Sequence, residues 1–394
     1  MDLAHMALDL RDYILSWRRR LHRYPELSLQ EVQTTQALAD ELERLGIPVT
    51  RFSGHTGLMG TITGRSPGKT VLLRADIDAL PIRENTGLPY AAQNGAMHAC
   101  GHDCHAAMLL GAARLLLACQ EELSGTVRLL FQAAEETSHG AEYFIEQGCL
   151  DGVDAAFGMH IWSGLDSPLI SVEGGPRMSA CDNFELTIHG TAAHGASPHL
   201  GCDAVAAAAA AVTALQGYVA RRHDAFQPLV VTIGSIHGGE KPNILADTVT
   251  MAGTARCFDH ALRARLQGDL EALFSAACLP YGCTAQLCWH SLARAVVNGD
   301  PRLVEVGRNA AQKLYGQEGL GHLDPLMVSE DFAYYGEHVP SLFCFLGGGS
   351  PEVGAIYPHH NECFRIDEEA LPRGAALYAQ FALDYLKGDA AHEA

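Results

Sequence analysis

The chain has 394 residues, of which 48% are hydrophobic and 19% charged, with 46 Asp+Glu against 27 Lys+Arg and a formal net charge of −19. That length suits two globular domains rather than one core, and the composition excludes a disordered or collagen-like chain. The negative charge argues against nucleic acid and anionic membrane surfaces and leaves a small molecule as the expected partner.

In chain order, the opening "MDLAHMALDLRDYILSWRRRLHRYPE" is amphipathic and lacks the apolar stretch and small-residue cleavage site of a signal peptide. No apolar run reaches the roughly 18 residues of a membrane span, so no membrane partner and a cytoplasmic location are expected. The 12 cysteines are scattered through apolar segments such as "LLLACQ" and "LFCFLG", which reads as buried thiols rather than disulfides. Helical periodicity runs from Leu10 to Leu45 and ends at Gly46 before Pro48. "GLMGTITG" and "TVLLRADID" read as strands, Ala106 to Cys119 as a helix, "GTVRLLFQAAEE" as a buried strand ending in two glutamates, and "DAAFGMHIW" as a strand delivering His160 near its end. This alternation predicts an α/β domain with a mostly parallel sheet. Ligands gather beyond the carboxyl ends of such strands, where Asp76, Asp78, Glu135, Glu136 and His160 are expected.

From Asp182 the pattern changes. "DNFELTIHGT", "DAVAAAAAAVTALQGYVARR", "PLVVTIGSIHGG", "TVTMAGTARCF", "HALRARLQGDLEALFSAAC" and "CTAQLCWHS" read as β-α-β-β-α-β, a ferredoxin-like module. It occupies 182–293 and splits the first domain into 1–181 and 294–394. In the last part "PSLFCFLGGG" reads as a strand and "DEEALPRGAALYAQFALDYL" as a closing helix.

The chemistry concentrates in "MHACGHDCHAAMLLGAA", Met97 to Ala113. Cys100 and His102 are two apart, so in an extended stretch their side chains share one side, where a thiolate and a neutral imidazole suit Zn²⁺ or another late divalent ion. Asp103 can cap the following helix or orient a ligating imidazole. A thioether haem site is excluded because "CGHDCH" has one residue too many between its cysteines. A closed structural zinc site built from Cys100, His102, Cys104 and His105 leaves the acidic strand ends unexplained. In the pair Glu135-Glu136, one carboxylate can bind metal while its neighbour, facing the other way, acts as general base. His160, and His359 or His360 in "YPHHNECF", supply further ligands. A serine hydrolase is excluded, since the chain has no G-x-S-x-G elbow.

Over nearly its full length the chain resembles the two-metal peptidase M20 family, and within it the amidohydrolase branch of hippurate hydrolases, N-acyl-amino-acid amidohydrolases and auxin-conjugate hydrolases. The resemblance runs in family order through "WRRRLHRYPELSLQE", "RADIDALPI", "MHACGHDCHAAMLLGAA", "FQAAEE", "GMH", "HGASPH", "NILAD", "GTAR", "SEDFAYY" and "HHNECF". It implies a zinc-peptidase-like catalytic domain with the inserted module as lid and dimerisation domain, and hence a homodimer or a dimer-based homo-oligomer. It also implies metal ligands Cys100, His102, Glu136, His160 and His360, with Glu135 as the base. His360 is preferred to His359 because the family ligand directly precedes the Asn/Ser of an "H-[SN]-P-x-F" ending; here Glu362 stands in place of the proline. His194 would stabilise the oxyanion, reaching the partner subunit's site, while Asn243 and Arg256 would hold the substrate's carbonyl or carboxylate. "AAHG" and "NILA" replace the common "GGHA" and "NVIP", so substrate preference does not transfer.

The implied cofactor is a pair of divalent ions per subunit, Zn²⁺ or Mn²⁺ with Co²⁺ and Ni²⁺ also compatible, about 3.5–4 Å apart as in other two-metal sites. The implied reaction is hydrolysis of an N-acyl amino acid by metal-activated water, Glu135 moving the proton from water to the leaving amine. A dipeptidase or aminopeptidase of the same superfamily is the nearer alternative, and a non-catalytic binding protein the further one.

Overall fold

The computed structural model describes residues 1–388. They gather into two compact units, the first formed by Met1–Arg177, Val297–Asp324 and the chain from Asp331 on, the second by Met178–Val296 and Pro325–Glu330. Among the described residues the strands are β1 (Val49–Arg51), β2 (Leu58–Thr63), β3 (Ser66–Asp76), β4 (Ser124–Gln132), β5 (Ala155–Asp166), β6 (Ile170–Ser171), β7 (Gly175–Met178), β8 (Ala180–His189), β9 (Leu229–Gly238), β10 (Thr248–Cys257), β11 (Thr284–Ala293), β12 (Val296–Asn298) and β13 (Ser341–Gly349).

The first unit is built on a seven-stranded sheet ordered β1-β2-β4-β3-β5-β13-β6. Its centre, β4-β3-β5-β13, is parallel, and β2 and β6 pair antiparallel with the outer members β4 and β13. Parallel strands are covered on both faces and therefore read as continuous apolar runs; Val71–Leu73, Leu129–Phe131, Ala155–Phe157 and Leu342–Leu346 are all buried. The helix His102–Ala118 begins at His102 rather than Ala106, and nearly all of it is buried. It is apolar all round, as a helix enclosed on every side must be, and it packs against the helices Arg11–Arg23 and Leu371–Lys387. Gly111 permits that closeness, since a Cβ there would lie 2.9 Å from both Ile14 and Ala375.

Two expectations change in detail. The helical stretch from Leu10 to Leu45 is broken into Arg11–Arg23 and Val32–Arg44, because Pro25 has no N–H to offer and disfavours helix at Tyr24 before it. Strand β5 continues to Asp166, so His160 lies within the strand and not near its end.

In the second unit the elements follow as β8, the helix Ala204–Gly217, β9, β10, the helix His260–Cys278 and β11. The sheet order is β11-β8-β10-β9, antiparallel throughout. Phe184, Leu186 and Ile188 of β8 meet Ala207, Ala211, Leu266, Leu270 and Phe274 of the helices in one core. With its π-turn the first of these helices extends over Ala204–Arg222, long and apolar enough by composition to cross a membrane, contrary to the expectation that no segment would be. Its Ala204, Ala207, Ala208, Ala211 and Leu215 are nevertheless buried against the sheet, which is how the core helix of a globular domain reads. Pro325–Glu330 clusters with this unit because the Ser179 N–H donates to the carbonyls of Leu326 and Val328.

Candidate metal centre

The candidate centre lies in the first unit, where β3 and β4 bring chemistry to their carboxyl ends and β5 presents His160 from within the strand. Arg74 and Asp76 are two apart on β3 and so share a face; the fully buried Arg74 donates to Asp76 Oδ2 at 2.6 Å. Asp76 Oδ1 is 2.5 Å from His105 Nδ1, and His105 Nε2 accepts from the Ile161 N–H at 2.9 Å. Both nitrogens of His105 are thereby engaged.

His102 is held differently. Its Nδ1 donates to the main-chain oxygen of Asp78 at 3.0 Å and to its Oδ1 at 3.1 Å. Nε2 is left buried with no hydrogen-bond partner, as is Oε1 of Glu136, and the two are 4.0 Å apart. The arrangement of carboxylate, imidazole and bare Nε2 is that of a ligating histidine with its orienting partner. Asp78 fills that orienting role, whereas Asp103 is turned away: it pairs with Arg18 at 2.9 Å and His22 at 2.8 Å, and Gly101, which precedes the helix, gives it no side-chain cap.

Beyond β4 the chain makes a turn instead of continuing extended. Ala134 takes a left-handed φ of 61°, and Glu135–Thr137 form a 3₁₀ turn. The two carboxylates therefore do not face opposite ways, as strand alternation implied; Glu135 Oε2 lies 3.9 Å and Glu136 Oε1 4.0 Å from His102 Nε2. Glu135 Oε1 accepts from the Asp331 N–H at 3.3 Å. Asp331 is itself fixed by Arg74 at 2.7 Å and Gln132 at 2.8 Å.

The main chain sorts the remaining histidines. The Ile161 carbonyl accepts from His160 Nδ1 at 2.6 Å, leaving His160 Nε2 aimed at Cys100 Sγ, 3.4 Å away. The same carbonyl accepts from His359 Nε2 at 3.1 Å, while the His359 ring stacks on Trp162 at 4.2 Å. His360, with φ of 63°, presents Nε2 3.6 Å from Glu136 Oε1. Among the groups of potential ligand atoms that lie within 4.8 Å of one another are Cys100–His102–His160 and Cys100–Glu136–His360, with Cys100 common to both; Asp76–His102–His105 and His102–Glu135–Glu136 meet the same criterion.

Electrostatics fit a cation at this place. Burial pushes the Glu136 carboxyl up to about 7, with His102 opposing the shift and the carboxylates of Asp78 and Asp76 adding to it. Burial likewise raises the Cys100 thiol, reinforced by Glu136. A crowd of buried carboxylates and a thiol around an imidazole whose Nε2 has no hydrogen-bond partner is a donor set for late divalent ions.

The residues expected to contact substrate lie in the second unit. His194 Nδ1 accepts from the Ala196 N–H at 3.0 Å, and its strand segment pairs with Ile244. The Gly195 N–H donates to the Asn243 carbonyl at 2.8 Å, which laces the His194 turn to the Asn243 segment. Arg256 Nη1 donates to the Met327 carbonyl at 3.1 Å. Arg74 and Asp331 had no assigned role in the sequence, although "RADID" and "SEDFAYY" stood out as motifs; the signal was the i, i+2 spacing of Arg74 and Asp76 on a strand.

Residues 72–384 match the family described as peptidase family M20/M25/M40. Among curated relatives, a thermostable carboxypeptidase 1 of Saccharolobus solfataricus is 37% identical over 97% of this chain and 98% of its own. An N-acetyl-L-cysteine deacetylase of Bacillus subtilis is 40% identical over 92% of this chain and 85% of its own. A crystal structure from Bacillus subtilis, described as a dinuclear metal-binding peptidase of this family, superposes with a TM-score of 0.86 at 35% identity, covering 96% of this chain and 99% of that one.

Proposed function

This chain belongs to peptidase family M20/M25/M40, and from that premise we propose that it hydrolyses the amide joining an acyl group to an amino acid with a free carboxylate. Its family and amidohydrolase relatives make it a metal-dependent amidohydrolase. The observation that carries the site assignment is Cys100, shared by two ligand groups whose other members are His102 with His160 and Glu136 with His360. These five residues would hold two divalent ions, Zn²⁺ or Mn²⁺.

When bound, such ions supply Lewis acidity, which acidifies water and polarises the scissile carbonyl. Glu135 takes the proton of the attacking water at its carboxylate and returns it to the departing nitrogen. The Asp331 N–H at 3.3 Å and the buried Arg74 behind it hold Glu135 in place. His194 donates to the oxyanion that develops on the carbonyl. Asn243 and Arg256 bind the substrate's carbonyl and carboxylate, the Arg fork matching a carboxylate bidentately. The inserted module 182–293, within the second unit, serves as a ferredoxin-like lid and dimerisation domain, the segments 1–181 and 294–394 form the catalytic domain, and His194 acts on the partner subunit's site.

The relatives named as a carboxypeptidase and an N-acetyl-L-cysteine deacetylase share one chemical demand, an amide nitrogen belonging to an amino acid that carries a carboxylate. The test compares matched N-acyl amino acids with unblocked dipeptides on enzyme of measured metal content. Faster turnover of the N-acyl compounds is expected. A preference for substrates with a free amine would overturn this reading in favour of a dipeptidase or aminopeptidase.

A further inference from the structure

We propose that His105 is a positioning residue: through the main chain of Ile161 it aims His160 at the ion assigned to Cys100, His102 and His160, while taking no place among the ligands itself. This rests on the ligand assignment made above. The support available to His160 changes partway along β5. β3 pairs with β5 only as far as Gly158, opposite Arg74. Past that point, among the described residues, no strand pairs with the β3 side of β5, and buried main-chain groups there need other partners. Ile161 is fully buried. Its N–H donates to His105 Nε2 at 2.9 Å, and its carbonyl accepts from His160 Nδ1 at 2.6 Å and His359 Nε2 at 3.1 Å. On the N–H side an imidazole stands where a strand would be.

Helical spacing puts His105 there. His102 and His105 are three apart on the helix His102–Ala118, so one face carries both rings, with centroids 5.5 Å apart. Each ring meets an aspartate at or just past the end of β3: His102 Nδ1 faces Asp78 at 3.1 Å, and His105 Nδ1 faces Asp76 at 2.5 Å. The two pairs are alike up to Nε2, where they part. His102 Nε2 has no hydrogen-bond partner among the described residues, as a ligating atom requires, whereas His105 Nε2 is engaged by the Ile161 N–H. A donor on Nε2 demands the lone pair there, so the His105 proton sits on Nδ1, and the atom that could grip a cation is occupied. His105 thus lies within ligand distance of Asp76 and His102 and still serves the main chain instead of an ion.

Packing keeps the connection short. Gly101, between Cys100 and His102, has φ of 91°, and a Cβ there would lie 2.7 Å from Ile161 Cγ2. The start of the helix therefore rests directly on Ile161, and the His105 and His160 rings meet edge to face with centroids 4.5 Å apart. Asp76 behind His105 is held in turn by Arg74 at 2.6 Å. The Ile161 N–H belongs to the peptide that leaves His160, and the Ile161 carbonyl holds the His160 ring. A displacement of that N–H from His105 would carry the ring with it and turn His160 Nε2 away from Cys100.

The test separates the two ends of the His105 ring. Asparagine keeps a donor near the place of Nδ1 and has nothing at that of Nε2, whereas glutamine reaches the place of Nε2 and can accept from the Ile161 N–H. Stepwise Zn²⁺ binding to metal-stripped wild type, His105→Asn and His105→Gln is measured by competition against a chromophoric chelator, with His160→Ala and His360→Ala identifying which step belongs to which ligand. Loss of a ligand's orienting partner lowers metal affinity about 10–100-fold, so His105→Asn should weaken the His160 step about tenfold or more and leave the His360 step within about twofold. His105→Gln should recover most of that loss. Equal loss in the two variants, loss spread evenly over both steps, or a His160 step unchanged in folded His105→Asn overturns the proposal. In wild type, ¹⁵N spectra of histidine-labelled protein should place the His105 proton on Nδ1, its signals being those absent from His105→Gln. A proton on Nε2 overturns the proposal even if His105→Asn does not fold. If His160→Ala alters neither step, the ligand assignment itself fails, whereas a loss in His160→Ala with none in His105→Asn defeats only this inference.

Discussion

Asp78→Asn isolates the device that leaves His102 Nε2 bare. In the native site Asp78 Oδ2 accepts two bonds, from Ser28 Oγ at 2.7 Å and the Glu136 N–H at 3.0 Å, while Oδ1 faces His102 Nδ1 at 3.1 Å. An amide has only one accepting oxygen. Two donors on the Oδ2 side hold that oxygen there, so the new NH₂ must face Nδ1–H. The repulsion is relieved if the imidazole proton moves to Nε2, the atom that needs a free lone pair to bind a cation. That move also forfeits the Nδ1 bond to the Asp78 main-chain oxygen at 3.0 Å, so either tautomer is penalised. Loss of a hydrogen bond to a charged group is worth about 1.5–3 kcal/mol, which agrees with the roughly 10–100-fold loss of metal affinity seen when a ligand's orienting partner is removed. Competition against a chromophoric chelator at fixed pH reads the affinity, and melting of the metal-stripped protein shows whether the fold is retained. Affinity within twofold of wild type in a folded Asp78→Asn protein would refute the reasoning.

Because Cys100 belongs to both ligand groups, Cys100→Ser should lower occupancy of both ions while His360→Ala lowers only one; elemental analysis returning two ions in Cys100→Ser would remove the shared thiolate. Glu135→Gln should keep its metals and lose about 10²–10⁴ in kcat, and mixing it with inactive His194→Ala should restore activity through hybrid dimers if His194 acts in trans; no recovery despite demonstrated subunit exchange places His194 elsewhere. Arg18 pairs with Asp103 at 2.9 Å and Glu368 at 3.0 Å and is fully buried, so Arg18→Met should destabilise by about 3–5 kcal/mol by leaving the buried Asp103 carboxylate with His22 alone; an unchanged denaturation midpoint would contradict this. The His322 pKa is raised above the ordinary 6.5 by its bond to Glu173 and then by Asp324, so its contribution to stability is complete below 6.5 and is lost as pH rises through the higher folded value; an NMR titration midpoint at or below 6.5 would refute that.

Much of the fold was legible because its causes are local or periodic. The doubly covered strands announced themselves as unbroken apolar runs, and the helix His260–Cys278 matches its apolar segment end to end. The extension of β5 past His160 was not legible, because it depends on pairing with β13 as far as Gly349 opposite Asp166, a partner almost two hundred residues away in the chain. The helix break at Pro25 was legible in principle, since the rule for proline acts on the residue before it. The apolar periodicity continuing through Leu38 and Leu42 obscured it.

At the site, residue types were legible and their aim was not. His160, His359 and His360 look alike in sequence, yet one backbone oxygen, that of Ile161, accepts from both His160 Nδ1 and His359 Nε2. For His160 this bond leaves Nε2 toward Cys100, whereas for His359 it occupies Nε2 and the ring stacks on Trp162. A main-chain acceptor leaves no trace in the sequence, because every residue carries one. Asp78 and Asp103 differ for a related reason: both neighbour His102, in space and in sequence respectively, but Arg18 and His22 claim Asp103 from a helix far earlier in the chain. The adjacent pair Glu135-Glu136 reaches one imidazole only because Ala134 turns left-handed. A strand continuing through Glu136 would place the two carboxylates on opposite faces. The joint placement of base and ligand is therefore set by the turn at Ala134 and by the Glu31 carboxylate that holds its N–H.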